Sequence, residues 1–399
     1  MSFPLHVHGQ ALGRFPQPRL GRIVFGGERG PLTQDCHYHD RQDHVCLFRT
    51  GEVPSTEDIE GFAGILAADP LPEKLVEGLS DRGLPTVHRL RYSHHLEEGD
   101  VVALQDSGYV RTLYRRSSNS NSIFVTDRCN SYCLMCSQPP RPVDDLDRLQ
   151  EHLRLVDLID PECRELGITG GEPTLLGEDL LALILHCRER LAETALHMLT
   201  NGRRFRGEAF ARGLAALDHP DLMLGIPLYS SVPHHHDHVV QAMGAFEETL
   251  RGLTNLGRYG VPVEIRIVIH QLTVDGLGAL SEFIYRNLPF VAHVAFMGLE
   301  MMGFAVPNKE RLWIDPWDYR ERLEDAVLHL AMRGLPVSIY NHPLCLLPRS
   351  LWPYARQSIS DWKNEFATEC DGCSVRTDCG GFFTSTLLRG RSQHIAPIA

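Results

Sequence analysis

Asn121-Ser-Ile-Phe-Val-Thr-Asp-Arg-Cys129-Asn-Ser-Tyr-Cys133-Leu-Met-Cys136 runs from an apolar, β-prone stretch straight into three closely spaced cysteines. The run Ser122–Thr126 reads as a strand, and the cysteines then fall in the loop that leaves it. Further along, strand-like runs alternate with stretches of helical period. ELGIT, ALHMLT, LMLGIPL, VEIRIVIH and HVAFMG are separated by DRLQEHLRLVDLI, LLALILHCRERL, RGEAFARGLAAL, AFEETLRGLTNLGRYG, GALSEFIYRNL and YRERLEDAVLHLAMRG. Strand followed by helix about six times predicts an α/β fold of parallel strands joined by crossovers, a partial (β/α)6 TIM-like barrel. In such barrels chemistry belongs to the loops after the strands, where this sequence places its cysteines.

A polar run, SSNSNS at 117–122, marks the first expected boundary. Before it, RIVFGG, HVCLFRT, TVHRLRY, DVVALQD and YVRTLYR alternate with Gly and Pro, so residues 1–118 read as a small β-rich N-terminal domain with no legible role. Residues 119–334 form the expected barrel. From Pro336 the alternation breaks, and residues 335–399 read as a Cys-rich C-terminal extension, too small for its own core without a staple such as a metal.

The composition narrows the function. Of 399 residues, 39 are Lys or Arg and 51 Asp or Glu, and the net charge of −12 argues against a nucleic-acid partner. The short basic run Arg111 to Arg116 reads as a solvated strand face. No stretch approaches a membrane span, and the opening MSFPLHVHGQ lacks the order of a secretory signal, so the cytoplasm is the expected compartment. Thiols stay reduced there, and the grouped members of the eleven cysteines read as metal ligands or catalytic groups.

Cys129, Cys133 and Cys136 supply three thiolates in one loop, enough to anchor three irons of a [4Fe-4S] cube and leave the fourth open. Structural zinc, the plainer reading, normally takes four ligands from paired loops. A second group, Cys370, Cys373 and Cys379 with Cys345 upstream, has knuckle-like spacing, and four thiolates there fit zinc or an iron–sulfur cluster equally well. Cys36, Cys46, Cys163 and Cys187 read as buried or incidental. His234, His235, His236 and His238 resemble a metal cluster at first sight, but adjacent residues fan out in different directions, and a polar loop is expected.

The C-x3-C-x2-C motif after a first strand resembles the defining motif of the radical S-adenosylmethionine (SAM) superfamily. The resemblance implies that SAM chelates the open iron of a [4Fe-4S] cluster, and that its reductive cleavage yields a 5′-deoxyadenosyl radical that abstracts a substrate hydrogen. It places Met135, where the family usually has an aromatic residue, near the adenine. It also implies that the Gly170-Gly171-Glu172-Pro173 backbone meets the SAM amino group. Asn201 and Ser230, at the ends of the third and fourth strands, would face the cofactor, and Gly298 after the sixth would bring backbone to the adenine. Glu264 and Arg266 share one strand face, and either they contact SAM or they satisfy each other. The tail resembles the shortened SPASM-type, or Twitch, extension that carries an auxiliary [4Fe-4S] cluster, which favours iron–sulfur over zinc at Cys345, Cys370, Cys373 and Cys379.

Taken together, NSIFVTDRCNSYCLMCSQPPR, GITGGEPTLL, IPLYSS, VEIRIVIH and CDGCSVRTDCGGFF resemble the C-type radical SAM maturases of His-Xaa-Ser systems. That likeness implies a ribosomally made peptide or small protein substrate, a companion radical SAM maturase and a low-potential electron donor of the flavodoxin or ferredoxin type. Two other readings stay open: a radical SAM enzyme on a small metabolite, as in pterin cofactor synthesis, and a non-enzymatic iron–sulfur or zinc protein. The tail is further expected to cap the open side of the barrel.

Overall fold

In a computed structural model, residues 6–15, 17–26, 41–55, 59–357 and 365–399 are described, and the chain divides into two compact units. The first comprises residues 1–122, 148–164 and 189–194; the second comprises 123–147, 165–188 and 195–399. Among the described residues no helix is long and apolar enough to cross a membrane.

Among the described residues the first unit is built on seven strands: β1 (His6–Leu12), β2 (Arg19–Phe25), β3 (His44–Phe48), β4 (Gly64–Ala67), β5 (Thr86–Arg91), β6 (Val101–Leu104) and β7 (Tyr109–Tyr114), with helix α1 (Glu73–Asp81) between β4 and β5. They close into a barrel in the order β1-β5-β4-β3-β2-β6-β7. Strands β2 to β5 pair in parallel, whereas β1, β6 and β7 pair antiparallel. Closure removes the exposed edges that so small a sheet would otherwise present. Inward-facing Val7, Ile23, Val45, Leu47, Leu66, Val87, Leu104 and Val110 fill its interior. Helix α2 (Leu149–Leu158) belongs to this unit, and the Arg22 guanidinium donates to the Leu158 carbonyl at 3.0 and 2.8 Å. Its orphan C-terminal carbonyl thus gains a cationic partner.

The second unit carries a seven-stranded sheet in sequence order: β8 (Asn121–Phe124), β9 (Glu165–Thr169), β10 (Ala195–Leu199), β11 (Leu222–Pro227), β12 (Val263–Ile269), β13 (His293–Gly298) and β14 (Val337–Tyr340). Pairing from β9 to β14 is parallel throughout. The crossovers carry α3 (Glu178–Arg190), α4 (Glu208–Ala216), α5 (Pro233–Val240), α6 (Ala245–Arg258), α7 (Leu277–Asn287), α8 (Lys309–Leu312) and α9 (Pro316–Ala331). Strands buried on both faces need apolar runs. Leu166, Ile168, Leu196, Met198, Leu224, Ile226, Ile265, Ile267, Val294 and Phe296 accordingly lie within 1% of full burial.

Three expectations change here. The sheet has a seventh strand, β14, beyond the expected six; the four-residue VSIY follows Pro336, where the legible alternation ends, and is too short to register as periodic. The histidine run forms α5 rather than a loop, because Pro233 occupies its first turn, where a missing N–H costs nothing. The tail closes with another helix, α10 (Thr384–Arg389). Cys46, Cys163 and Cys187 are buried, and Cys36 lies outside the described residues.

Candidate functional site

The loop holding Cys129, Cys133 and Cys136 leaves β8 with few hydrogen bonds of its own, so neighbouring segments shape it. Tyr132 and Leu134 donate their N–H groups to the carbonyls of Val240 and Val239 at the end of α5, both at 3.0 Å. Phe304 N–H binds the Cys136 carbonyl at 2.8 Å, and the Asn308 amide binds the Leu134 carbonyl at 3.0 Å. On the other side Arg203 bridges Glu248, at 2.7 Å, to Ser131 Oγ, at 3.0 Å, and to the Asn130 carbonyl. Asn201 adds an amide hydrogen bond to Asn130 at 2.6 Å. These contacts fix the loop from four directions.

Burial pushes the Cys129 thiol up to about 11, with Glu172 adding to it. Burial likewise pushes Cys133 up to about 12, and Cys136 and Cys129 add their repulsion; Cys136 is also raised by burial. Thiolates at these positions therefore need a cationic partner of their own, which an iron–sulfur cluster supplies. Among the described residues no three ligand side chains converge on a single-ion position, and a cube asks for none, since each thiolate binds its own iron.

The segment after β9 approaches the loop at its base. A side chain on Gly170 would meet the Thr126 carbonyl at 2.6 Å, and one on Gly171 would meet the Arg128 carbonyl at 2.2 Å. The glycines thus admit the chain leading into the cysteines, and Gly171 and Glu172 donate their N–H groups to those carbonyls at 2.7 and 2.8 Å. The buried Glu172 side chain is fully engaged. Its Oε1 accepts from Thr174 N at 3.0 Å, Thr174 Oγ1 at 2.6 Å and Thr200 Oγ1 at 2.6 Å, and its Oε2 accepts from Asn201 N at 2.7 Å. It ties the turn after β9 to the turn after β10. Pro173 is buried in the same turn.

A cavity of about 650 Å³ runs from the three cysteines down the inside of the sheet. Met135, Gly170, Gly171, Asn201, Glu264, Arg266 and Gly298 all line it. Ser230 does not: it is buried, and its hydroxyl accepts from Val232 N at 3.0 Å, closing the turn into α5. The neighbouring Tyr229 lines the wall instead, stacked on His236 at 5.8 Å. Phe383 from the tail also forms part of the wall, and Trp313 anchors the tail by donating to the Gly390 carbonyl at 3.0 Å.

Deeper in the cavity, Glu264 accepts from Arg266 at 2.8 Å and pairs with His293 Nδ1 at 2.8 Å, while His293 Nε2 meets Ser338 Oγ at 3.0 Å. Burial alone would raise the Glu264 carboxyl, but His293, Arg266 and His197 together hold it below the usual carboxylate range. Gly225 makes room for this group, since a side chain there would meet Arg266 at 2.9 Å and His197 at 3.1 Å. Glu264 and Arg266 therefore satisfy each other and face the cavity at once. Around the whole cavity the described lining residues include the carboxylates Glu165, Asp221, Glu264 and Glu300 against one guanidinium, Arg266.

In the tail, Cys345, Cys370, Cys373 and Cys379 lie near enough to influence one another, although among the described residues they do not converge on a single-ion position. Cys345 feels Cys379 and Cys370, and Cys370 feels Cys379 and Cys373. Leu344 and Gly381 point N–H groups at Cys379 Sγ at 3.4 and 3.5 Å, and Ile398 points one at Cys373 Sγ at 3.4 Å. Backbone donors around sulfur suit ligating thiolates.

Arg203 was invisible in the sequence because its partners Glu248, Ser131 and Asn130 lie 45, 72 and 73 residues away. Arg203→Ala should leave the fold intact and speed loss of cluster iron to a chelator several-fold, since a buried charge-assisted contact worth about 1.5–3 kcal/mol is removed. Unchanged iron release would show that the other contacts suffice.

Residues 123–284 match the family model of the radical SAM superfamily, a domain type that works with a [4Fe-4S] cluster and SAM, and the parallel α/β architecture of the second unit is a radical SAM fold. The chain is 26% identical over 236 residues to a GTP 3′,8-cyclase of Petrotoga mobilis, covering 57% of this chain and 69% of the relative. It is 28% identical over 200 residues to a GTP 3′,8-cyclase of Desulforamulus reducens, covering 49% of this chain and 59% of the relative. Among solved structures it is similar to SuiB of Streptococcus suis, at 16% identity and a TM-score of 0.43, covering 55% of this chain and 48% of that one.

Proposed function

We propose that this chain is a radical SAM enzyme that modifies a ribosomally made peptide or small protein, one with cationic, His-Xaa-Ser type segments. Cys129, Cys133 and Cys136 hold the cluster, and SAM on its open iron would supply the 5′-deoxyadenosyl radical. Met135 packs in the wall beside the cluster loop. Gly170 and Gly171 bring the backbone of the β9 turn against that loop, and Asn201 holds Asn130 while facing the cavity. Tyr229 and Phe383 keep this end of the cavity apolar and limit water.

The observation that carries the substrate class is the charge of the cavity. Four carboxylates against one guanidinium, itself engaged by Glu264, favour a protonated imidazole or amine and disfavour a polyanion. A second reading, a small-metabolite enzyme, draws on the GTP 3′,8-cyclase relatives. A triphosphate would have to enter that acidic cavity with a single arginine to receive it, and this favours the peptide. The deciding experiment incubates the reduced, reconstituted protein with SAM and either a His-Xaa-Ser peptide or GTP, and reads both by mass spectrometry. A mass change in the peptide that disappears in a Cys133→Ser variant supports the proposal; conversion of GTP alone replaces it with the second reading.

For the tail we propose an auxiliary [4Fe-4S] cluster on Cys345, Cys370, Cys373 and Cys379. Anaerobic reconstitution should then give about eight irons per chain, four for each of two cubes. About four irons with one zinc would assign the tail to zinc instead. A companion radical SAM maturase and a low-potential donor complete the proposed system.

A further inference from the structure

We infer that the face carrying Arg204, Arg206 and Arg251 is the docking surface for an acidic protein that delivers single electrons to the cysteine-loop cluster, an inference that rests on the radical reading above. The turn Arg203–Arg206 follows β10. Arg204, Arg206 and Arg251 surround one open surface hollow together with Gly207. Three guanidiniums around a single hollow concentrate positive potential there, and a concentration of this kind attracts an anionic partner. Among the described residues only Arg206 of the three is in an ion pair, with Glu248, and Arg204 lies over the Phe210 ring at 5.7 Å. Arg204 and Arg251 are exposed.

Two facts turn this patch into a statement about a partner. First, the whole chain carries a net charge of −12, so an acidic protein is repelled by most of the surface and attracted only where arginines gather. Second, the patch is joined to the cluster loop by a short chain of contacts. Glu248 holds both Arg206 and Arg203, and Arg203 reaches the Asn130 carbonyl and Ser131 Oγ between Cys129 and Cys133. On the same stretch of loop Tyr132 is 53% exposed, an amphipathic ring of the kind enriched at protein interfaces. A donor seated here is linked through Glu248 and Arg203 to the stretch of loop between Cys129 and Cys133. The transfer moves one electron from the reduced donor to the oxidised cluster, and the donor leaves oxidised by one electron.

The test uses the full-length reconstituted enzyme and a purified flavodoxin of strongly negative net charge. Binding is read by calorimetry at low and high salt, and 5′-deoxyadenosine formation is driven either by photoreduced flavodoxin or by dithionite. Arg204→Glu with Arg251→Glu should weaken flavodoxin binding and flavodoxin-driven turnover by about tenfold at low salt, abolish most of their salt dependence, and leave dithionite-driven turnover unchanged. Wild-type binding and rates retained in the variant would overturn the inference. If the glutamates also depress the dithionite rate, Arg204→Gln with Arg251→Gln decides: a selective loss with flavodoxin supports the surface, and an unaltered flavodoxin response refutes it. Absence of SAM cleavage with dithionite in the wild type would instead strike the radical reading, while the calorimetric result would still score the docking surface.

Discussion

Cys133→Ser is expected to lose 5′-deoxyadenosine production to background and, with the cluster proposed for the tail retained, to lower the iron content from about eight to about four per chain, because a cube held by two thiolates does not persist. Cys133 is the natural choice among the three. It is the most strongly raised of the loop thiols, and its neighbours Tyr132 and Leu134 are pinned to Val240 and Val239. Serine keeps nearly the same volume in this pinned loop, so a collapse of the fold would not explain the loss. Circular dichroism matching the wild type completes the measurement. A serine variant that still made 5′-deoxyadenosine at the wild-type rate would mean that the chemistry is not anchored here.

Glu172→Ala should give the largest loss of stability of any single change at the site. The carboxylate receives two backbone N–H groups and two hydroxyls, and it is 0% exposed. Alanine leaves all four donors without that partner in a buried place, at a cost of about 3–5 kcal/mol. Glu172→Gln should cost about 2 kcal/mol, because its amide nitrogen would face the Asn201 N–H that Oε2 now accepts. Among the described residues Trp313, Trp317 and Trp352 belong to the second unit, so guanidinium unfolding followed by tryptophan fluorescence reports on it. SAM affinity should fall with stability, since the clamp sets Gly170 and Gly171 against Thr200 and Asn201. An alanine variant that unfolds at the wild-type midpoint would show that the four donors find other partners.

The parts of this picture that were legible in the sequence are those written in local spacing. The cysteine loop, the period-two pair Glu264 and Arg266, and the alternation of strands and helices each depend on residues close together in the chain. The missing parts depend on distant partners. Glu172 reads as one member of a turn motif, and only the fold brings Thr200 and Asn201 to it. Ser230 and Tyr229 are adjacent, and the turn into α5 decides that the tyrosine, not the serine, faces the cavity. The first unit read as β-rich, but its closure and its mixture of parallel and antiparallel pairs arise from pairings such as β1 with β5 and β7, which no short window contains. Strand β14 was hidden by its length and by the prolines around it.

The acidic cavity and the arginine face divide the second unit's charges in opposite senses. The interior collects carboxylates where a cationic substrate is proposed, and a surface hollow collects guanidiniums where an acidic donor is inferred. A chain of net charge −12 can use both without conflict, because screening confines each patch's influence to about 8 Å at physiological salt.

The most direct measurement is electron paramagnetic resonance of the reduced, anaerobically reconstituted protein, with and without SAM, in a background where Cys345, Cys370, Cys373 and Cys379 are replaced by alanine. A cubane signal that shifts when SAM is added is the expected result, since the proposal has the sulfonium cosubstrate bind the open iron of a cluster on Cys129, Cys133 and Cys136. A signal indifferent to SAM, or no cubane signal in folded protein, would contradict the account.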